Sequence, residues 1–208
     1  MSQKQILIEQ TKDGEQISLQ KSLTSGENQI IYIFALGTQN GVDLNISLDE
    51  ANSKLEVYCL YIVDKDNQPA FNLEVVHNAP NCQSNILYKG VLISPKSRVF
   101  WDSNVIINQA ARGTQTYEAN KNMILAKGAR AYSVPNLEIL QGDILGAGHA
   151  SAIGRFDEEQ LFYLMSRGLS ATQAKQVLVE GFALEVLDNF ADKDKRISLD
   201  KQIIALLK

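Results

Sequence analysis

The chain has 208 residues, of which 45% are hydrophobic and 21% charged, and its formal net charge is −4. This is enough apolar sequence to bury the core of one domain, with or without an appended helical piece. No segment reaches the roughly 18 consecutive apolar residues that a membrane span needs, and no basic start followed by an apolar core marks a secretory signal. The acidic balance, without a lysine or arginine block, argues against a nucleic-acid surface. We expect a cytoplasmic protein with neither a membrane nor a nucleic-acid partner.

Two short apolar runs begin the chain, I-L-I at residues 6–8 and I-S-L at residues 17–19, with K-D-G between them. Glycine accepts the positive φ angle of a tight hairpin loop. The pattern therefore predicts a terminal β-hairpin, in which the two runs pair antiparallel.

From Gln29 onward, apolar runs of strand length recur, rich in β-branched and aromatic residues and divided by Gly, Asn, Asp or Pro. V-D-L-N-I-S-L, at residues 42–48, alternates strictly, which puts one strand face inward and the other in water. No helical pattern interrupts the runs, so a βαβ sheet is excluded and the alternatives are a β-sandwich and a β-solenoid. Small or polar breaks such as N-A-P-N and S-P-K-S are typical of corners where a chain stacks on its previous coil.

The apolar spacing becomes helical after residue 154. Asp157, with Gln160 three residues later, predicts a capped helix start, and Gly168 stands where a helix end needs a left-handed residue. The change of period predicts two parts, a β-helical or β-sheet core over residues 1–154 and a C-terminal helical segment over residues 155–208.

Two further helices are predicted in that segment. Ser170 with Gln173 repeats the capping pattern, and apolar residues follow at helical spacing. A charged turn at residues 191–196 separates a last amphipathic helix, whose apolar residues predict burial.

The cysteines carry no metal or redox signal. Cys59 and Cys82 are isolated and form no C-x-x-C pair. Cys59 lies in the apolar run V-Y-C-L-Y-I-V, which predicts a buried thiol. Cys82 lies in the polar stretch N-A-P-N-C-Q-S, and we expect it to be more exposed.

The chain has two histidines. His77 ends the run F-N-L-E-V-V-H, a position typical of a structural histidine. His149 lies between Gly148 and Ala150 in a run of small residues, and we expect an exposed imidazole in a loop. The imidazole nitrogen suits iron or zinc ligation, although a lone histidine among Gly and Ala residues more often has a structural, hydrogen-bonding role.

Four motifs follow one another in the second half of the chain. They are L-E-I at residues 137–139, A-G-H-A-S-A-I-G at residues 147–154, D-E-E-Q-L-F-Y-L-M-S-R-G at residues 157–168, and G-F at residues 181–182. Together they resemble the SufB/SufD family, the scaffold subunits of the SUF iron–sulfur cluster assembly machinery. The resemblance implies a right-handed parallel β-helix followed by a small C-terminal helical segment, and so favours the solenoid over the sandwich.

The resemblance also implies a role for His149, because the matching histidine of SufD-type proteins is implicated in cluster assembly at the subunit interface. The SufB-type pattern has a cysteine in the stretch that corresponds here to A-K-G-A-R-A-Y-S-V-P, and a glutamate directly after the histidine. This chain has no cysteine between Ala126 and Pro135, and it has Ala150 after the histidine. It is therefore similar to SufD, and we expect either a transient iron–sulfur cluster shared with a partner subunit or none bound.

The partners implied by the resemblance are a SufB-like subunit or a second copy of the chain, and an ABC ATPase of the SufC type that docks on the C-terminal helices. The residues expected to serve docking are Phe162, Tyr163, Met165, Arg167, Gly168, Val179, Gly181 and Phe182. Neither a P-loop nor a G-x-S-x-G or H-E-x-x-H motif occurs, so the sequence predicts a non-catalytic protein.

The alternative hypothesis is a β-helical carbohydrate-active enzyme or a glycan-binding module. Asp143 and Glu138 could then be the paired carboxylates, and Trp101 and Tyr117 the stacking aromatics. This hypothesis requires an open groove that presents these groups. The scaffold hypothesis instead requires an exposed strand edge near His149 and an apolar helical face.

Overall fold

The computed structural model describes residues 3–10 and 14–208. In this part of the chain, strands come first and helices last. The strands are β1 (Gln3–Gln10), β2 (Ile17–Leu23), β3 (Asn28–Leu36), β4 (Val42–Leu48), β5 (Lys54–Val63), β6 (Ala70–His77), β7 (Gln83–Leu92), β8 (Arg98–Ile107), β9 (Gln115–Ile124), β10 (Arg130–Ile139) and β11 (Gly146–Arg155). The helices are α1 (Glu158–Ser166), α2 (Ala171–Leu187) and α3 (Lys193–Leu206). None of these helices has the length and apolar character to cross a membrane.

The strands alternate between two sheets as the chain advances. The odd-numbered strands form a six-stranded sheet in the order β1-β3-β5-β7-β9-β11, here called the odd sheet. The even-numbered strands form a five-stranded sheet, the even sheet, in the order β2-β4-β6-β8-β10. Neighbouring strands are parallel, and equivalent positions stack coil upon coil, as Lys54, Gln83, Gln115 and Gly146 do. This is a parallel β-solenoid, which confirms the fold that the sequence favours.

The hairpin prediction for the first two strands is wrong. Strand β1 pairs with β3, parallel, and β2 pairs with β4 in the other sheet. The two strands therefore lie in different sheets and do not pair with each other, and of the K-D-G motif only Gly14 lies within the described residues. Turn residues occur at many kinds of chain reversal, so the motif alone does not establish a hairpin.

The odd sheet is covered on both faces. Its inner face packs against the even sheet in a core that includes Val57, Phe71 and Trp101. Its outer face packs against α2 and α3 in a second core that includes Tyr32 and Leu60. Double burial explains why β3 and β5 read as almost continuous apolar runs, whereas β4, with its outer face in water, alternates.

The three helices differ in how many residues they bury. Helix α1 buries none of its residues, although Asp157 caps it and Gly168 follows it at a φ of +97°. Helix α2 starts with the full reciprocal capping box of Ser170 and Gln173, as predicted, and it buries Val179 and four other residues. Helix α3 buries Leu199 and Ile203. Only α2 and α3 are therefore part of the core.

Candidate functional site

The solenoid ends at β10 and β11, the last strands of their sheets, and we call this its open end. Within the described residues, no further strand pairs with either of them. Large apolar side chains are exposed on and between these strands, among them Val134, Leu140 and Ile153, and Leu145 is 73% exposed. An unpaired strand edge with apolar side chains is a template for association with another chain.

His149 lies in β11 and not in a loop, which corrects the sequence-based expectation. A parallel ladder pairs it with Glu118 of β9. Its neighbour Ala150 packs against the core beneath the helices, so His149 points to the opposite, inner face of the odd sheet. The imidazole is exposed, as predicted, because no further coil covers this end.

One column of stacked residues runs through the solenoid to this histidine. Its members, in order along the odd sheet, are Ile6, Ile31, Val57, Ile86, Glu118 and His149. The first four are apolar, as expected for the inside of a solenoid. The column therefore changes from hydrocarbon to a carboxyl group and then to an imidazole as it reaches the open end.

Glu118 is buried opposite the Ser103 hydroxyl of the facing even sheet. It is 1% exposed, and neither carboxylate oxygen has a hydrogen bond of ordinary length among the described residues. The Ser103 hydroxyl is nevertheless close enough to favour the charged form of the carboxyl group. Burial raises the pKa of Glu118 to about 7, because the interior disfavours the charged form. At neutral pH this carboxyl group is balanced between its two protonation states.

Other buried polar atoms near the open end are also without partners in the described part of the chain. They are Tyr88 Oη, Trp101 Nε1, Asn120 Nδ2 and Ser133 Oγ. The sequence analysis missed this polar interior. The signal for it was the run T-Y-E-A-N-K-N, in which every second residue from Thr116 to Asn122 is polar and faces inward.

His77 has the structural role that its position predicted. It is fully buried, and its Nε2 lies 2.9 Å from Ser84 Oγ, which in turn lies 2.6 Å from Thr116 Oγ1. Burial lowers the pKa of His77 to about 4, so the ring is neutral at physiological pH.

The cysteines are both buried. This confirms the prediction for Cys59, whose thiol pKa is raised by burial. The greater exposure expected for Cys82 is wrong, because its thiol donates to the Glu50 carbonyl oxygen at 3.3 Å and contacts Ser53 Oγ at 3.2 Å. No group of three or more His, Cys, Asp or Glu side chains able to hold a metal ion occurs within residues 3–10 and 14–208.

Helix α1 and the two residues that follow it contain five of the eight residues assigned to docking. Phe162 is 75% exposed, and Tyr163 and Met165 are exposed beside it. The Arg167 guanidinium lies 5.2 Å from the Tyr163 ring centroid. Gly168 then turns the chain into α2. The result is an apolar helical surface without contact to the core.

The docking residues on α2 divide into three environments. Val179 is fully buried against the odd sheet, so the assignment of this residue to a partner-binding surface is wrong. Phe182 is half-buried, and Lys89 Nζ lies 4.1 Å from its ring centroid. Gly181 is exposed, and a Cβ atom added there would have nothing within 4 Å.

The residues proposed for glycan chemistry do not form an open site. Trp101 is 1% exposed between the sheets, where no sugar can stack on it. Asp143 forms an ion pair with Arg112 at 2.8 Å. Tyr117 and Glu138 are exposed, but on different sheets. The structure therefore removes Trp101 from the stacking aromatics that the alternative hypothesis required, and it leaves Tyr117 apart from Glu138.

Comparison with known proteins identifies the family. A family model described as SUF system FeS cluster assembly, SufBD core domain, matches residues 24–182. An iron–sulfur cluster assembly SufBD family protein of Mycobacterium tuberculosis is 45% identical over 159 residues, which are 74% of this chain and 40% of the relative. The iron–sulfur cluster assembly protein SufD of Escherichia coli is 30% identical over 158 residues, which are 76% of this chain and 36% of the relative.

A SufBD family protein of Synechocystis is 30% identical over 146 residues, covering 70% of this chain and 32% of the relative. The chain thus spans well under half the length of these relatives. The family match extends from just before β3 into α2, and it includes both the open end and α1. On these matches and on the solenoid fold, the chain belongs to the SufBD family, whose members take part in iron–sulfur cluster assembly.

Proposed function

We propose that this chain is a non-catalytic, cytoplasmic scaffold subunit of a SUF complex, similar to SufD. In this proposal it pairs through its open end with a SufB-like subunit or with a second copy of itself. The observation that carries the proposal is the unpaired edge of β11, which bears His149 at the point where a second chain would join the odd sheet.

The composition of β11 supports close approach of a second chain. The residues of β11 that face the same side as Ala150 are small: Gly146, Gly148, Ala150, Ala152 and Gly154. Small side chains let another backbone come near, and an edge strand offers unpaired N–H and C=O groups to it. The exposed Ile153, on the other face, adds apolar area to the same contact.

The cluster is the cargo of this assembly, and His149 is proposed to contribute one ligand while it forms. A cluster needs about four ligands, usually thiolates, whereas both cysteines of this chain are buried away from β11. The other ligands are therefore assigned to the partner subunit.

A SufC-type ABC ATPase is proposed to dock on α1 and on the neighbouring exposed face of α2. The exposed Phe162, Tyr163 and Met165 are anchors of the kind that concentrate binding energy in helical recognition. Gly181 lets the partner backbone approach α2 closely. Val179, being buried, is not part of this surface.

The test of the assembly uses a charge at the open end. Ile153→Asp places an unpaired carboxylate in the proposed contact and is expected to abolish both self-association and binding of a purified SufB-like protein, measured by light scattering. Leu7→Asp is the matched control, because Leu7 is a similarly exposed residue on β1, at the opposite end of the odd sheet. Equal association of both variants and the wild type, with equal melting temperatures, would remove the open end from the interface.

A further inference from the structure

Two aromatic rings are exposed on the outer face of the even sheet. Phe100 of β8 and Tyr132 of β10 lie in register, and they point away from the core, which Val99 and Trp101 fill. The rings stack at a centroid distance of 4.8 Å with 5° between their planes, yet the two residues remain 44% and 43% exposed. The helices pack on the odd sheet, so none of the described helices covers this pair.

One face of the Tyr132 ring is free. A cross-strand aromatic pair stabilises a sheet, and the face of Tyr132 that lies on Phe100 has this role. Because β10 is the last strand of the even sheet among the described residues, no further coil stacks on the other face. A planar side chain of another molecule can therefore extend the stack.

Basic side chains lie along one side of the aromatic pair. Arg98 and Arg130 are in register two positions before the rings, so they lie on the same face of the sheet. The corners that precede β6, β8 and β10 are joined by backbone hydrogen bonds of 2.9 to 3.2 Å, and they carry the exposed Lys65, Lys96 and Lys127. We call these five basic residues and the two rings the even-sheet platform.

Most of the positive charge of the platform is not neutralised within the described residues. Lys65, Lys127 and Arg130 form no ion pair there, and Lys96 pairs with Asp66 at 3.2 Å. Both partners of that pair are exposed, so it contributes little to stability and is easily exchanged. This local excess of positive charge occurs on a chain whose net charge is −4.

The platform is held in a fixed arrangement. Arg98 Nη1 donates to the carbonyl oxygens of Ser97 at 2.8 Å and of Gly128 at 3.0 Å, which ties the last two corners together. Asp102 follows Phe100 on the same face, but it lies on the side of the rings away from the arginines. The cations and the rings therefore form one strip, whose rigidity lowers the entropy lost on binding.

We propose that the even-sheet platform binds a short acidic segment of a partner protein, whose carboxylates pair with Arg130 and the corner lysines while an aromatic side chain stacks on Tyr132. Arginine clusters recognise acidic motifs, and tyrosine and arginine are frequent centres of binding energy. A nucleic acid fits less well, because a phosphate backbone needs a longer run of cations than these corners offer. The platform is on the even sheet and the edge of β11 on the odd sheet, so binding here is independent of the subunit contact proposed above.

The charge contact is tested with a short dye-labelled peptide of glutamates around one phenylalanine, titrated with the whole chain and followed by fluorescence anisotropy. Arg130→Glu reverses an exposed charge and should weaken binding about tenfold or more. Lys54→Glu is the matched control, because Lys54 is an exposed cation of the odd sheet, and it should bind the peptide as the wild type does. Added salt should weaken binding by the wild type, because it screens exposed charges.

The aromatic contact is tested with Tyr132→Ala. This variant should bind the peptide about three- to tenfold more weakly, whereas Tyr117→Ala, which truncates a similarly exposed tyrosine of the odd sheet, should bind it as the wild type does. A peptide with alanine in place of its phenylalanine should bind Tyr132→Ala and the wild type equally. Melting temperatures show separately how much sheet stability the broken ring pair costs.

Three results would overturn the proposal. The first is no binding of the peptide by the wild type, or equal affinity of Arg130→Glu and Lys54→Glu. The second is tighter binding of a single-stranded oligonucleotide that Arg130→Glu abolishes, since it would make the platform a nucleic-acid surface. The third is a lowered melting temperature of Tyr132→Ala with the peptide affinity of Tyr117→Ala, which would limit the rings to sheet stability. Ile153→Asp should bind the peptide normally, so failure of the open-end contact is distinguishable from failure here.

Discussion

The buried carboxyl group of Glu118 predicts how the stability of this protein depends on pH. Burial raises its pKa from 4.5 to about 7. Below pH 4.5 the group is neutral in both the folded and the unfolded state, and it imposes no electrostatic penalty. Between pH 4.5 and 7 the unfolded chain loses the proton first, so folding requires proton uptake and stability falls as pH rises. Above about pH 7 the penalty is complete and constant.

The size of the penalty follows from the same two pKa values. The rise of the Glu118 pKa from 4.5 to about 7 corresponds to a free-energy penalty of about 3 kcal/mol. Replacing Glu118 by leucine removes the titrating group and extends the apolar column, so the variant should be more stable than the wild type above pH 7.

Urea unfolding at pH 5, 6, 7 and 8, followed by circular dichroism, measures this effect as the difference in unfolding free energy between Glu118→Leu and the wild type. The difference cancels groups common to both proteins, including His77. That histidine acts with the opposite sign: burial lowers its pKa from 6.5 to about 4, so its contribution to stability is lost as pH falls below 6.5. A difference that stays constant from pH 5 to 8 would refute the assignment of a raised pKa to Glu118.

Three further predictions concern the proposed surfaces. Gly181→Leu should weaken binding of a purified SufC-type ATPase by about 2 kcal/mol, roughly thirtyfold. The melting temperature should not fall, because the added side chain has open space around it. Ser198→Leu on the exposed face of α3 is the control, and equal affinity of the two variants for the ATPase would remove α2 from the docking surface. Val179→Ala should lower the unfolding free energy by about 2 kcal/mol, since it leaves a cavity beneath α2, and an unchanged stability with a loss of ATPase binding would return this residue to the interface. His149→Ala should leave the melting temperature unchanged while it lowers cluster transfer to an apo acceptor protein, and a cooperative loss of folding would show that His149 is structural.

The strands and their inward faces were predictable from the sequence, but the way they pair was not. The alternation of apolar and polar residues indicates which side chains face the core. In β4, the apolar residues of V-D-L-N-I-S-L are buried, as this pattern predicts. Periodicity contains no information on whether the neighbouring strand runs parallel or antiparallel. For this reason the sequence pattern could not distinguish a sandwich from a solenoid, and the hairpin predicted for β1 and β2 was wrong. The motifs in the second half of the chain favoured the solenoid, because their resemblance to the SufB/SufD family implies a parallel β-helix.

The site was only half predictable for a related reason. His149 was visible because it is a lone histidine among small residues. Glu118 was not, because the two become neighbours only through the register of β9 and β11, and the loops between strands set that register without a fixed repeat length. Cys82 was misjudged in the same way, because its polar sequence neighbours form a corner that encloses the thiol beneath the Glu50 carbonyl.

The interior of the solenoid changes in polarity along its length, and the proposed site lies at its more polar end. The early coils fill the interior with Ile31, Val57 and similar side chains, which provide the stability of the fold. Seven of the ten buried side-chain atoms without a hydrogen-bond partner among the described residues belong to residues from Tyr88 to Ser133, in the later coils, where they lower that stability. The strongest apolar burial therefore stays at a distance from the open end, where the proposed assembly occurs.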